Sequence, residues 1–360
     1  MIHSPRLGRE SVVEEVTEIM GAAASTVPLH DKELRGHRIL VCLDRSPLSE
    51  VCLPYAVSLA KAFGSAITLV HVMQPRHENV GPQTNDALGW EISRQEASVY
   101  LERLQAETSQ ALGEPVETRL EQGRPAARII DLAREIGSDL TVLSSSGEGG
   151  VTALNLGSTV QQVLAGARGS VFIAHPSSGP SNVVSVKRIL LPLDGSLRSE
   201  SVLPTAARMA EAYGAEILLV HVVQEPTPNL VLCSVDDLEI ARSLAGRLES
   251  SAMRYLEGLR DRLAHEAASV RALVVRHVNE RQCLFEISQK ERSDLIVLSA
   301  HGSACDPSRS FGSVTADLLT RSIVPLFVLQ DVPESELQRA GKLGNERAPT
   351  RLPSYPPESV

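Results

Sequence analysis

The chain repeats itself, and a long internal period constrains the architecture before any local element is assigned. RILVCLDRS at residues 38–46 returns as RILLPLDGS at 188–196, a shift of 150 residues. The same shift carries Leu53 and Pro54 onto Leu203 and Pro204, Phe63 and Gly64 onto Tyr213 and Gly214, and Val70, His71 and Val72 onto Val220, His221 and Val222. Further along, SDLTVLS at 138–144 matches SDLIVLS at 293–299, and Gly157-Ser158 matches Gly312-Ser313, now at a shift of 155, so the second copy has gained five residues in its middle. A length of 360 residues suits two domains of about 150 residues each better than one core. The expected organisation is an N-terminal extension over 1–36, a first domain over 37–176, a linker over 177–186, a second domain over 187–330 and a tail over 331–360.

Within each copy, the apolar runs 39–43, 67–72, 140–143 and 171–174 are four to six residues long and do not alternate strictly with polar residues. That pattern belongs to strands buried on both faces of a parallel sheet, with helix-length segments between them as crossovers. A β-α-β-α-β-α-β-α-β order follows, so each copy is expected to be a doubly wound, Rossmann-like five-stranded α/β domain. Helix one is expected to start near Ser49 and end at Gly64, a residue suited to a left-handed cap. Pro54 and Pro204 then fall about five residues inside, early enough to cost little. Parallel sheets leave an apolar edge strand that needs covering, so the two copies are expected to pack on each other as an intramolecular, pseudo-twofold domain pair. A homodimer stays open.

Outside the repeats, Val12, Val13, Val16, Ile19 and Met20 sit at helical spacing opposite Glu14, Glu15 and Glu18, which suggests a short amphipathic helix. The stretch 177–185 contains Ser, Gly and Pro in linker proportion, and the tail from Pro333 onward reads as disordered. Charged residues interrupt 1–20 and no apolar run approaches the roughly 18 to 20 residues of a membrane span, so a cytoplasmic protein without a membrane partner is expected. Cys42, Cys52, Cys233, Cys283 and Cys305 form no Cys-x-x-Cys pair and are odd in number, which argues for core residues or spare thiols. A net charge of -9 with 3% aromatic residues argues against a nucleic-acid partner, which needs a basic stripe and stacking surfaces.

In a doubly wound sheet the ligand sits beyond the carboxyl ends of the strands, where neighbouring crossovers leave in opposite directions. After strand one come Asp44, Arg45 and Ser46, matched by Asp194, Gly195 and Ser196. After strand four come Ser144, two serines and Gly147, then nine residues, then Gly157-Ser158; the second copy has Ser299, Ala300, His301 and Gly302, nine residues, then Gly312-Ser313. A glycine just past a buried strand permits the positive φ of a sharp turn, and a Gly-Ser pair opening a helix presents free N–H groups to an anion. Ser158 and Ser313 can donate to a phosphate oxygen or cap their own helices. Asp44 and Asp194 can accept from ribose hydroxyls, hold a metal such as Mg2+, or serve as helix-capping residues.

These loops give the chain its resemblance: it looks like a tandem member of the universal stress protein family. The ATP-binding branch of that family carries Gly-x-x-Gly, nine residues, then Gly-Ser or Gly-Thr. Both copies keep the second glycine, the spacing and the final Gly-Ser, and put Ser144 and Ser299 at the first glycine. The resemblance covers about residues 37–330 and implies the adenine nucleotide alpha hydrolase-like version of the fold, with ATP, with or without Mg2+, as ligand. It also implies that Val72 and Val222 meet the adenine through their backbone; read by themselves, they end strand two. His71 and His221 read as strand-end packing residues. The first copy keeps Gly123-Arg124-Pro125 and Gly149-Gly150, with Glu148 in its loop, and the second keeps Pro192, Gly195 and His301-Gly302, with Asp306, Pro307 and Arg309 in its loop.

The expected function is therefore an adenine-nucleotide binder with a regulatory or stress-protective role. The alternatives are a nucleotide-free interaction module acting through protein partners and a slow ATP-using enzyme. Against an efficient enzyme, the sequence has no Gly-rich loop ending in Lys-Ser or Lys-Thr and no Gly-x-Gly-x-x-Gly. No histidine or carboxylate recurs at matching positions of the two nine-residue loops, and Arg309 is the one basic residue within them.

Overall fold

The computed structural model describes residues 38–74, 87–147, 156–167, 169–175, 184–225, 235–265, 267, 269–303 and 309–330. The expectations for the N-terminal extension, most of the linker, the C-terminal tail, Glu148, Gly149, Gly150, Asp306, Pro307, Cys233 and Cys305 lie outside these residues. The first copy runs β1 (Arg38–Leu43), α1 (Pro47–Glu50), α2 (Cys52–Phe63), β2 (Ala66–Met73), α3 (Ala87–Leu112), β3 (Glu117–Gln122), α4 (Pro125–Glu135), β4 (Leu140–Ser144), α5 (Ser158–Gly166) and β5 (Ser170–Ala174). The second repeats the order as β6 (Arg188–Pro192), α6 (Leu197–Glu200), α7 (Leu203–Tyr213), β7 (Glu216–Gln224), α8 (Val235–Leu263), β8 (Ser269–His277), α9 (Glu280–Lys290), β9 (Leu295–Ser299), α10 (Ser313–Arg321) and β10 (Leu326–Leu329).

All ten strands form one sheet in the order β3-β2-β1-β4-β5-β10-β9-β6-β7-β8. Pairing within each copy is parallel, and the two halves meet where β5 and β10 pair antiparallel with Phe172 opposite Phe327. The two rings stand 6.5 Å apart edge to face, and Tyr55 from α2 stacks 5.1 Å from Phe172. Such aromatic pairs add about 0.5–1.5 kcal/mol beyond their buried area. A second bond between copies comes from Arg208 on α7, which donates to the carbonyl of Ala62 at 3.1 Å and lies over the Phe63 ring.

Alternation along the strands sends Ile39, Val41 and Leu43 to one face and Leu40 and Cys42 to the other. One face packs under α2, α3, α7 and α8; the other packs under α4, α5, α9 and α10. Both cores run through both copies, which explains why these strands read as continuous apolar runs. Cys42, Cys52 and Cys283 are buried free thiols within them. Among the described residues no helix is long and apolar enough to cross a membrane.

Helix one differs from the expectation. It begins earlier, where Ser46 caps α1, and breaks at Val51 before α2 resumes. Pro54 explains the break, because its ring has no N–H for the carbonyl of Glu50 and crowds it. Pro204 does the same between α6 and α7, where it falls in the first turn. Both α2 and α7 end as expected, at Gly64 and Gly214, each with φ +64.

Candidate functional site

The crossovers after β1 and β4 diverge, since β2 and β3 lie on one side of β1 and β4 and β5 on the other. The carboxyl ends of β1 and β4, and of β6 and β9, are therefore the places where a crevice forms. At the end of β1, Asp44 Oδ1 accepts from the Ser46 N–H at 2.9 Å and the Ser46 hydroxyl at 2.6 Å. Ser46 Oγ in turn accepts from the Ser49 N–H at 3.2 Å, and the Ser49 hydroxyl returns a bond to the Ser46 carbonyl at 2.9 Å. Asp194, Ser196 and Ser199 repeat this network bond for bond. The capping residue is thus the serine two positions on, and the aspartate holds that serine in place. Ser49, expected only as a helix start, and Ser199 were not read as part of this network, although an Asp-x-Ser-x-x-Ser pattern recurring at the 150-residue shift carries them.

The residue between aspartate and serine is left-handed in both copies, Arg45 at φ 70 and Gly195 at φ 82. Arg45 extends to Glu96 on α3, 2.8 Å away. His71 and His221 bond through Nδ1 to the carbonyls of Leu43 and Leu193, at 2.9 and 2.8 Å, and so tie the end of the second strand to the residue just before each aspartate.

Gly147 and Gly302 do not have the positive φ expected of them. Their lack of a side chain serves space instead: a Cβ on Gly147 would overlap Asp44 Oδ2, and one on Gly302 would overlap Asp194 Oδ2. The aspartate loop and the loop after β4 thus meet face to face in both copies. Ser144 and Ser299 are likewise not left-handed; they are the last residues of β4 and β9, buried in extended chain. Serine in place of the first glycine therefore carries no backbone strain.

The helix after each long loop is drawn onto the strand end. The Gly157 N–H donates to the Ser145 carbonyl at 2.9 Å, and the Gly312 N–H to the Ala300 carbonyl at 2.7 Å. Gly157 and Gly312 are the capping residues of α5 and α10, so Ser158 and Ser313 are the first helical residues and cap nothing. Among the described residues both serines are exposed and their hydroxyls have no hydrogen-bond partner. Each helix thus turns its first N–H groups and a serine hydroxyl outward, the arrangement that attracts an anion.

Val72 and Val222 are buried strand residues whose side chains line the core. Their backbones point elsewhere. The Met73 carbonyl accepts from the Gly123 N–H at 3.0 Å on the β3 side, so alternation turns the N–H and C=O of Val72 towards β1, past the last paired residue, Leu43. The Val220 carbonyl accepts from Leu193 on the β6 side at 2.8 Å, and Val222, two residues on, faces the same way beyond Pro192.

Charge at the second aspartate is firmly set. Burial pushes the Asp194 carboxyl up, but hydrogen bonds from Ser196 and from the Ser303 N–H outweigh it and lower its pKa from 3.8 to about 2. Among the described residues no group of three or more His, Cys, Asp or Glu gathers as a metal site, so a cation at Asp44 or Asp194 would need ligands from a bound molecule.

Fold and site together define a tandem doubly wound α/β protein with a glycine-capped helix start at the switch point of each copy. The sequence model of the universal stress protein family matches residues 36–175 and 185–330, and the chain belongs to that family. A universal stress protein of Mycolicibacterium smegmatis is 25% identical over 302 residues, covering 81% of this chain and 96% of its own length. One from Thermus aquaticus is 34% identical over 139 residues, 38% of this chain and 97% of its own. The crystal structure of a universal stress protein from Archaeoglobus fulgidus has a TM-score of 0.56 at 18% identity, covering 82% of this chain and 98% of that one, a likeness of fold.

Proposed function

We propose that the protein binds an adenine nucleotide, ATP, at the switch point of one or both copies, and that it acts as a regulatory or stress-protective binder. The observation that carries this reading is the bond from the capping glycine to the strand end, Gly157 to Ser145 and Gly312 to Ala300, which sets an open helix start beside the aspartate loop. Amides at such a helix start stabilise an anion by about 0.3–1 kcal/mol, up to about 2 where partly buried. The residues fit a phosphate: Ser158 and Ser313 offer exposed hydroxyls, and Ser144 Oγ is buried without a partner. Phosphates at the helix start leave the ribose beside Asp44 or Asp194 and the adenine against the backbone of Val72 or Val222. ATP would bring its phosphate charge, and Mg2+ if that travels with it.

Turnover is slow in this reading. A general base works best with a pKa near the working pH, and Asp194 at about 2 is far too weak a base at neutral pH. The test is mass spectrometry of the purified chain under native and then denaturing conditions, where an adenine nucleotide should be released. Nucleotide-free protein should gain about 2.7 kcal/mol of stability at 100 times the dissociation constant of ATP. Phosphate release should stay below ordinary enzyme rates of roughly 1 s⁻¹. A second reading, a nucleotide-free interaction module, draws on exposed apolar residues of the two long helices: Leu88, Ile92 and Val99 on α3, Ile240 and Leu244 on α8. Protein that carries no nucleotide and does not respond to millimolar ATP, with or without Mg2+, would favour it.

A further inference from the structure

We infer that β8 is a docking edge for a second chain of this protein, whose own β8 adds to it antiparallel and extends the ten-stranded sheet across a twofold axis at Leu273. The sheet ends in β3 on one side and β8 on the other. An edge strand leaves a row of N–H and C=O groups open unless charge, proline or a short length blunts it. β3 is blunted: it has six residues, ETRLEQ, of which Glu117, Arg119 and Gln122 are exposed. β8 is not. It runs nine residues, and its pairing to β7 puts Ala272, Leu273 and Val275 where pairing to β2 puts Thr118, Arg119 and Glu121. The polar guards of the first copy are thus apolar in the second, and all three of those apolar residues are only partly buried.

Alternation assigns the open groups. The Glu225 N–H donates to the His277 carbonyl at 3.0 Å, so His277 faces β7, and the N–H and C=O of Val270, Ala272, Val274 and Arg276 turn to the open side. Among the described residues nothing bonds to these groups.

Self-complementarity points to the occupant. Centring an antiparallel pair on Leu273 sets Ala272 opposite Val274 and Val270 opposite Arg276, so each open residue meets an open residue and all nine positions are paired. Arg271 then lies opposite Val275 and Leu273 opposite itself, so no like charges face each other. Both arginines are already turned to carboxylates of their own chain, Arg271 to Glu216 and Glu291, Arg276 to Glu225 and Glu249. Val270, Ala272 and Val274 carry one core out to the edge, and Leu273 and Val275 carry the other, so a second edge continues both. The chain already joins its two halves by antiparallel edge pairing at β5 and β10, with three residue pairs. β8 offers nine.

Sedimentation velocity of the full chain over a micromolar concentration series tests this. A closed dimer is expected. Ala272→Pro removes an N–H on the open side and leaves the bonds to β7 in place. The chain should keep its far-UV circular dichroism and dimerise about 10-fold or more weakly. Leu273→Arg copies Arg119 of β3, a residue the fold already admits there, and sets like charges against each other on the axis; Leu273→Glu does the same with the opposite sign. Each should stay monomeric alone, and mixing the two should restore the dimer. Thr118→Pro, on the open side of β3, should change nothing. A monomer at every concentration overturns the inference, since an edge taken by an unlike protein leaves the chain alone. So does a dimer indifferent to Ala272→Pro and to charge at Leu273. Masses that grow past two chains and shrink with Thr118→Pro, the sign of β8 pairing with β3, overturn it as well.

Discussion

Gly147 lies so close to Asp44 that a Cβ on it would overlap Oδ2 and stand 3.1 Å from Cγ. Gly302 has the same relation to Asp194, with Cγ 3.3 Å from the added carbon. Alanine at Gly147 should therefore push two loops apart and cost about 1–3 kcal/mol, the usual range for overpacking. The cost should shrink in an Asp44→Ala background, because the clash goes with the carboxylate. Urea unfolding of the two single variants and the double variant gives the coupling; additive losses would mean that the glycine serves some other need.

Arg45 holds a left-handed conformation that its counterpart Gly195 adopts freely. For a residue with a side chain that costs roughly 1–2 kcal/mol, and the exposed Arg45–Glu96 pair returns about 0.2–1. Arg45→Gly should thus stabilise the chain by about 1 kcal/mol, raising the melting temperature by about 2–4 °C for domains of this size. Gly195→Arg should lower it, although a Cβ there meets nothing within 4 Å, because backbone strain is then the whole cost.

Acid should act in two windows. Burial lowers His175 from 6.5 to about 4, so the unfolded chain takes up a proton before the folded one does. Stability from this group is fully present above pH 6.5 and is lost as pH falls through 4. Asp194, lowered from 3.8 to about 2, contributes stability that is present above 3.8 and is lost as pH falls through 2. His175→Gln, which copies the residue at the matching position, Gln330, should flatten the upper window alone, and Asp194→Asn the lower. Chemical denaturation from pH 7 to pH 2.5 separates them; an unchanged slope in either variant rejects that assignment.

Ser46→Ala should cost about 1 kcal/mol, since it removes the cap of α1 and a partner of Asp44 together. Ser158→Ala, at a hydroxyl without a partner in the protein, should leave stability within about 0.5 kcal/mol and weaken ATP binding. Thermal melts with and without ATP check both, and equal losses of stability would refute the contrast.

Much of the fold was legible because it is local and written twice. Runs such as 39–43 and 140–143 are apolar on both faces, and only a sheet covered on both sides buries such runs. The place of the candidate site in the fold was legible, since a doubly wound sheet leaves its crevice beyond the strand ends. All twelve expected site residues, Asp44, Val72, Ser144, Gly147, Gly157, Ser158 and their counterparts Asp194, Val222, Ser299, Gly302, Gly312 and Ser313, lie in or beside the loops at the carboxyl ends of the strands. The reasons behind single residues were less legible. A glycine in a pattern looks the same whether it supplies a dihedral angle or leaves room, and Gly147 and Gly302 leave room.

By itself, then, the sequence determined the repeat, the order of elements and the family, because periodicity and motif spacing are properties of neighbouring residues. Only the tertiary structure decided that ten strands make one sheet through Phe172 and Phe327, that Asp44 reaches Gly147, and that Ser299 has a partner where Ser144 has none. Those depend on groups that the chain brings together from far apart, where the distance between atoms rather than their order along the backbone sets which hydrogen bonds and contacts exist.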